Sequence, residues 1–244
     1  MIYTSDYLPQ FRDAGENGLV GLRGYYNYFQ DMITQYMHSI DKGNDTIPEK
    51  YGITWIVTRY RLNVYEEADY HLPLHMETWI EPGSTRARIH MGLTIYRDKE
   101  VYAEGRTECC LMDLNSRKLT GMDAIELPKD LAEERELHVA PFTRFSSDMD
   151  GFTYVFTQTV RYTDLDKTRH MTNLKYIDLL MNAFDSDFYR THRVTNFEIR
   201  YETQCFEGEE IKVYVKQVGE QYFLYGIKKD GSIAVAGLME AVNA

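Results

Sequence analysis

The sequence predicts an α+β chain of two tandem domains, each a long helix followed by an antiparallel meander. Three observations predict it. Tyr25, Tyr28, Phe29, Met32, Ile33, Tyr36, Met37 and Ile40 recur at i, i+3, i+4 and i+7 spacing, the stripe of a helix with one buried face. Behind that stripe come runs in which β-branched and aromatic residues alternate with polar ones, the period of half-buried strands. The same order then returns in the second half of the chain.

In chain order, the alternation predicts strands over 54–65, 72–80, 86–96 and 101–114. Turn chemistry separates them at Glu81-Pro82-Gly83-Ser84 and at Arg97-Asp98-Lys99-Glu100. The charged stretch 129–136 reads as a short helix, and the polar stretch 136–151 as a linker between domains at 1–135 and 152–244. Past the linker the pattern predicts a strand to about Tyr162, a helix from Asn173 to about Phe188, and strands over 195–205, 210–218, 221–228 and 232–241. A shift of 148 residues sets Tyr176 on Tyr28, Ile177 on Phe29, Leu180 on Met32 and Phe184 on Tyr36, as an internal duplication would. Any two amphipathic helices can also be superimposed this way.

Composition narrows the function classes. With 244 residues, 43% hydrophobic and 14% aromatic, the chain supports one large domain or two medium ones with a sizeable core. Twenty tyrosines and eleven phenylalanines favour strands. A formal charge of −11 and a pI near 5.1 leave no basic block to neutralise phosphates, which argues against nucleic-acid binding. No apolar run reaches the roughly 20 residues of a membrane span, and MIYTSDYLPQ lacks the basic and apolar regions of a signal peptide. Cys109, Cys110 and Cys205 fit neither a disulfide framework nor a zinc site, so a reducing, cytoplasmic setting is expected, with no metal and no cofactor. His71 and His75 have no carboxylate or cysteine arrangement around them that suggests a metal and read as surface or packing residues.

The stretch RYTDLDKTRHMTNLKY at 161–176 concentrates chemistry. It places Asp164, Asp166, Thr168, His170 and Asn173 between a strand exit and the first turn of a helix, where free amides and the macrodipole favour developing negative charge. Thr172 or Asn173 can accept from those first amides. Taken singly, the aspartates are also ordinary turn and capping residues. At the 148-residue shift the first half offers Gly18, Val20, Leu22 and Gly24 instead, so the polar cluster belongs to the second half alone.

At these residues the sequence resembles the acyl-ACP thioesterases, which release fatty acids from acyl carrier protein. TDLDKTRHMTNLKY at 163–176 is similar to that family's Asp-x-Asn-x-His-x-Asn-Asn-x-(Lys/Arg)-Tyr signature. NFEIRYETQC at 196–205 resembles its Glu-Tyr-Arg-Arg-Glu-Cys strand, and 55–83 resembles the strand pair of its amino-terminal half. The resemblance implies two tandem hotdog domains, each a long helix wrapped by a curved antiparallel sheet.

It also implies roles. Asp166, His170 and Glu202 fall on the family's aspartate, histidine and glutamate, while Thr168 stands where asparagine is usual and Thr203 where cysteine is usual. A thioester carbonyl is already electrophilic, so the site must deliver a deprotonated water and stabilise an oxyanion. Glu202 is the expected base, with Asp166 the alternative. Amides near 170–173 are expected to hold the oxyanion, with His170 or Thr168 as a side-chain donor and Asp166 orienting them. Asn173 is an expected substrate contact, Trp55 and Met76 expected acyl-slot walls, and Lys167 with Arg169 an expected docking point for the acidic carrier protein. The resemblance leaves open a monomer or a homodimer. An acyl-CoA thioesterase of the same fold and a non-catalytic acyl-binding hotdog protein are the competing functions.

Overall fold

Each meander closes against the helix that precedes it. A computed structural model describes the chain except for Ser84, Lys129 and Ala244. The Ser84 end of the turn at 81–84 and the Lys129 start of the short helix therefore lie outside the described residues. The chain divides into two compact units, Met1–Ala140 and Pro141–Ala244.

The first unit runs β1 (Ile2–Tyr7), β2 (Leu19–Val20), α1 (Leu22–Ser39), α2 (Ile47–Tyr51), β3 (Ile53–Val64), β4 (Ala68–Asp69), β5 (Leu74–Ile80), β6 (Arg88–Arg97), β7 (Glu100–Asp113) and β8 (Leu119–Thr120). Its main sheet is antiparallel in the order β1-β5-β6-β7-β3, with β8 on β7, and β2 pairs with β4 apart from it. The expected helical stripe is the buried face of α1, where Tyr25, Tyr28, Phe29, Met32, Ile33, Tyr36 and Met37 are all buried. Phe29 and Tyr26 meet Tyr60 of β3 edge-on at 5.3 and 5.6 Å. Strand β1, IYTSDY, lies outside the expected strands.

The second unit runs β9 (Thr153–Thr159), α3 (Asn173–Met181), α4 (Ser186–Thr191), β10 (His192–Tyr201), β11 (Glu210–Val218), β12 (Gln221–Lys228) and β13 (Ile233–Asn243). Its sheet is antiparallel in the order β10-β13-β12-β11-β9. Each unit is a hotdog, a helix held in an antiparallel sheet.

Glycine lets each helix approach its sheet. A Cβ on Gly105 of β7 would lie 2.7 Å from Phe29 Cε1, and one on Gly237 of β13 would lie 2.8 Å from Leu180 Cδ1. Both contacts are shorter than side-chain packing allows, so the helix residue occupies the space a side chain would take.

Two expectations are corrected. The single helix expected to about Phe188 is two, because Asp185 accepts the Phe188 N–H at 3.0 Å and starts α4 afresh after α3 ends at Met181. The described part of 129–136 is not helical. Ala132 bridges Ile80 and the Glu133 N–H reaches the Ile80 carbonyl at 2.9 Å, so a sheet edge takes the hydrogen bonds a helix would have made. Within the expected linker 136–151, the residues from 141 on pack against the second unit's sheet. Phe145 is buried with Tyr225, Ala236 and Leu238, and both carboxylate oxygens of the fully buried Glu198 accept from the Thr143 N–H at 2.9 and 3.0 Å.

Candidate active site

Between β9 and α3 the backbone makes a tight loop. A 3-10 turn, Tyr162–Asp164, opens it, and the Asp164 carboxylate accepts the Arg161 N–H at 2.9 Å. A bridge between Leu165 and Met171 closes its neck. Inside, the Asp166 N–H donates to the His170 carbonyl and the Arg169 N–H to the Asp166 carbonyl, each at 3.0 Å, with Arg169 in the left-handed region at φ 66°. Asp164, one of the polar cluster, is thus structural.

The tip brings three expected residues together. Asp166 Oδ1 accepts the Thr168 N–H at 2.7 Å and also the Thr168 hydroxyl. The same hydroxyl oxygen lies 2.7 Å from His170 Nδ1. On the far side the Phe206 ring meets the imidazole edge-on, 5.4 Å between centroids at 79°. Asp166 and Thr168 are exposed and His170 is half-buried, so the relay ends at a solvent-accessible imidazole.

The loop is pinned to the segment that follows β10. The Met171 N–H donates to the Cys205 carbonyl at 2.8 Å, and the Thr172 N–H to the Asp164 carbonyl at 2.8 Å. This corrects the expected oxyanion donors, since two of the amides in 170–173 are already used. Thr172 is the N-cap of α3 but its side chain makes no capping bond, so the Asn173 and Leu174 N–H groups are the ones without an intrahelical acceptor. Asn173 also receives the Tyr201 hydroxyl on its carbonyl at 3.1 Å.

Glu202 lies just past β10, its N–H on the Ala234 carbonyl at 3.0 Å. Its carboxylate pairs with Arg200, and among the described residues it makes no hydrogen bond or ion pair to Asp166, Thr168 or His170. The expected quartet is therefore a trio plus a neighbouring ion pair. Neither residue near the family's cysteine position offers a nucleophile. The Thr203 hydroxyl is donated to the Ile233 carbonyl, and the Cys205 thiol is buried, which pushes its pKa up.

The other expected contacts are more dispersed. Lys167 and Arg169 are exposed at the loop tip. Trp55 packs on Ile47, Ile53, Leu111 and Ile125, with its indole N–H on the Lys42 carbonyl at 2.7 Å. Met76 is buried in β5. A cleft of about 520 Å³ in the first unit is lined by Asp6, Leu74, His75, Glu77, Tyr96 and Lys99, and holds none of the expected site residues. Among the described residues no group of three or more His, Cys, Asp or Glu side chains is arranged to hold a metal ion.

Phe206 and Tyr176 were missed. Tyr176, about one turn into α3, accepts the Cys205 N–H on its hydroxyl at 3.0 Å and so ties helix to loop. Its place in the motif resemblance was a signal; Phe206 had none, since its partner is 36 residues away.

The first unit carries the same loop without the chemistry. There Gln10 and Asp13 make the turn that Arg161 and Asp164 make 151 residues later. The Gly15 N–H reaches the Leu19 carbonyl at 2.8 Å, the Gly18 N–H reaches the Gly15 carbonyl at 3.0 Å, and Gly18 has φ 76°. These repeat the bonds of Asp166 and Arg169. The offset is 151 rather than 148, so Gly15, Asn17 and Leu19 stand opposite Asp166, Thr168 and His170. A three-residue error is the natural one, because residues three apart share a helix face and the apolar stripes superimpose at either shift.

A helix held in an antiparallel sheet is the hotdog arrangement, and the family models that match the chain are thioesterase models. The model of the acyl-ACP thioesterase C-terminal domain matches residues 148–237, and that of the thioesterase-like superfamily matches residues 9–134. The chain belongs to the thioesterase-like superfamily, and its second half matches the C-terminal domain of acyl-ACP thioesterases. Among relatives, the dodecanoyl-[acyl-carrier-protein] hydrolase of Cinnamomum camphora is 32% identical over 228 residues, covering 84% of this chain and 56% of that protein. The palmitoyl-acyl carrier protein thioesterase of Arabidopsis thaliana is 18% identical over 221 residues, covering 84% and 52%. The chain spans about half the length of the curated relatives it matches. In fold it is similar to an acyl-ACP thioesterase from Bacteroides thetaiotaomicron, with a TM-score of 0.88 at 19% identity over 99% of this chain and 98% of that one. It is also similar to the 12:0-ACP thioesterase of Umbellularia californica, with a TM-score of 0.78 at 16% identity over 100% and 98%. Among the described residues no helix is long and apolar enough to cross a membrane.

Proposed function

We propose that the chain hydrolyses the thioester of fatty acyl-acyl carrier protein, releasing free fatty acid, with the chemistry in the second unit. The observation that carries this reading is the Asp166–Thr168–His170 relay, which lies within the residues matched by the acyl-ACP thioesterase C-terminal domain. A water attacks the thioester carbonyl, and the uncapped Asn173 and Leu174 N–H groups receive the developing oxyanion. Two groups at this end of the unit can take the water's proton: Glu202, the base expected from sequence, and His170. Lys167 and Arg169, exposed beside the relay, are the proposed contact for the acidic carrier. Asn173 is kept as a substrate contact, and the acyl chain is assigned to the domain over 1–135, with Trp55 and Met76 among its walls. The cytoplasmic setting belongs to the same proposal and draws on three free, buried cysteines.

The test is a panel of acyl-ACPs of varied chain length, with the matching acyl-CoAs in parallel, assayed for free fatty acid. Release from acyl-ACP at rates above acyl-CoA is expected. Preferential release from CoA would replace the carrier, and tight acyl binding with no acid formed would replace the enzyme by a binding protein.

A further inference from the structure

The departure at Thr168, a hydroxyl where the family usually has a carboxamide, carries a consequence for His170. A hydroxyl has one hydrogen and two lone pairs, and a carboxylate oxygen only accepts. The Thr168 hydroxyl stands between Asp166 Oδ1 and His170 Nδ1, so its single hydrogen goes to the carboxylate. What it turns to the imidazole, 2.7 Å away, is a lone pair. That contact is a hydrogen bond only if Nδ1 carries the ring hydrogen. An asparagine imposes no such direction, because a carboxamide presents either a donor or an acceptor. Free imidazole side chains favour the opposite form, with hydrogen on Nε2.

We propose that Thr168 is a positioning residue that holds neutral His170 in the Nδ1–H tautomer, and that the bare Nε2 takes the proton of the attacking water. The inference rests on the hydrolytic reading and sharpens it by moving the base from Glu202 to His170. Fixing a tautomer through a side chain oriented by a carboxylate is a known route to an effective histidine base. The Phe206 ring, edge-on at 5.4 Å, keeps the imidazole plane in place from the other side. Glu202, paired with Arg200, then has no proton to move.

The step balances. As the water oxygen bonds to the carbonyl carbon, one water proton passes to Nε2 and the carbonyl electron pair moves onto oxygen. When that pair returns, the C–S bond breaks, and the departing sulfur takes the proton from Nε2. One water is consumed, one carboxylic acid and one thiol are formed, and His170 ends neutral with its hydrogen still on Nδ1. The same assignment removes His170 as an oxyanion donor in its resting form, which leaves that task to the amides of α3.

The experiment is long-range proton–nitrogen correlation on the uniformly nitrogen-15-labelled full chain, under alkaline conditions that keep the rings neutral. His170→Asn identifies the His170 signals among the seven histidines. The wild type is expected to show the hydrogen on Nδ1, and Thr168→Ser to keep it there. Thr168→Val is expected to move the hydrogen towards Nε2 and to lower kcat roughly 100-fold with little change in KM, while Thr168→Ser keeps turnover. A wild-type ring protonated on Nε2 would overturn the proposal. So would a Thr168→Val protein whose tautomer changes while kcat does not, or a Glu202→Gln protein that loses more turnover than His170→Asn. The tautomer is read without substrate, so a chain inactive on every thioester would defeat the hydrolytic reading and leave the tautomer result standing.

Discussion

The loops at 10–21 and 161–172 are the same backbone carrying different chemistry. Both begin with a turn whose third residue, Asp13 or Asp164, caps the first N–H. Both put a left-handed residue, Gly18 or Arg169, at the tip, and both lead into a helix whose first buried tyrosine, Tyr25 or Tyr176, hydrogen-bonds to a distant backbone group. At the tip they diverge. Asn17 spends its carboxamide on the Leu19 N–H and on Glu67, at 3.0 Å each, and Leu19 has nothing to polarise. Asp166, Thr168 and His170 instead line up acceptor, hydroxyl and imidazole. The frame is shared, so three side chains separate a scaffold loop from a candidate catalyst.

The sharpest way to break that comparison is to truncate both tips. His170→Ala should cut kcat/KM by roughly 100- to 10,000-fold, whereas Leu19→Ala should leave it near wild type with the fold intact. Equal losses in steady-state assays of the two variants would mean that the tips differ only in packing.

The helices behind the loops offer a second contrast. Phe29 and Leu180 hold equivalent places 151 residues apart, each against a glycine of its own sheet. Gly105→Ala and Gly237→Ala should each destabilise by about 1–3 kcal/mol through overpacking, measured by denaturant unfolding. A neutral result in one unit would show that its helix yields where the other does not.

Glu108 of the first unit is a buried charge that pH reads. Glu108 is buried, and hydrogen bonding with His90, then with the Thr58 hydroxyl, and the charge of Arg88 hold its carboxyl down to about 2. Depression of the folded-state value means the stabilisation is present above the ordinary glutamate range and is lost as pH falls towards about 2. Glu108→Gln should therefore flatten the fall in melting temperature across that acid window, and an unchanged acid slope would refute the linkage.

The smallest expected effect is at Arg169, which occupies at φ 66° the position Gly18 takes at φ 76°. Arg169→Gly should gain about 1 kcal/mol of stability by relieving the left-handed strain. It should also raise KM for acyl-ACP and spare a small soluble thioester. A variant that is more stable but binds acyl-ACP as before would leave the arginine without a docking role.

Much of this was legible in the chain. The Tyr25-to-Met37 stripe and the alternating runs needed only periodicity, because a face that must be buried repeats at the period of its element. The relay's members were legible too, since Asp166, Thr168 and His170 lie within five residues and one tight loop can join them. The split between α3 and α4 was written in Asp185 but was masked by the apolar spacing of Phe184 and Phe188, which stack at 4.3 Å across the break.

By itself, then, the sequence determined the two long helical stripes, the order of the two meanders and the identity of the polar loop, all consequences of local spacing. Tertiary structure decided what local spacing cannot carry. It set the 151-residue offset, because only backbone hydrogen bonds distinguish registers three residues apart on one helix face. It withdrew the amide of Met171, whose acceptor Cys205 lies on another segment, and that of Thr172, because the loop folds back onto the Asp164 carbonyl. It gave Glu202 to Arg200, and it turned the Thr168 hydroxyl between a carboxylate and an imidazole, where a single hydrogen has one direction to go.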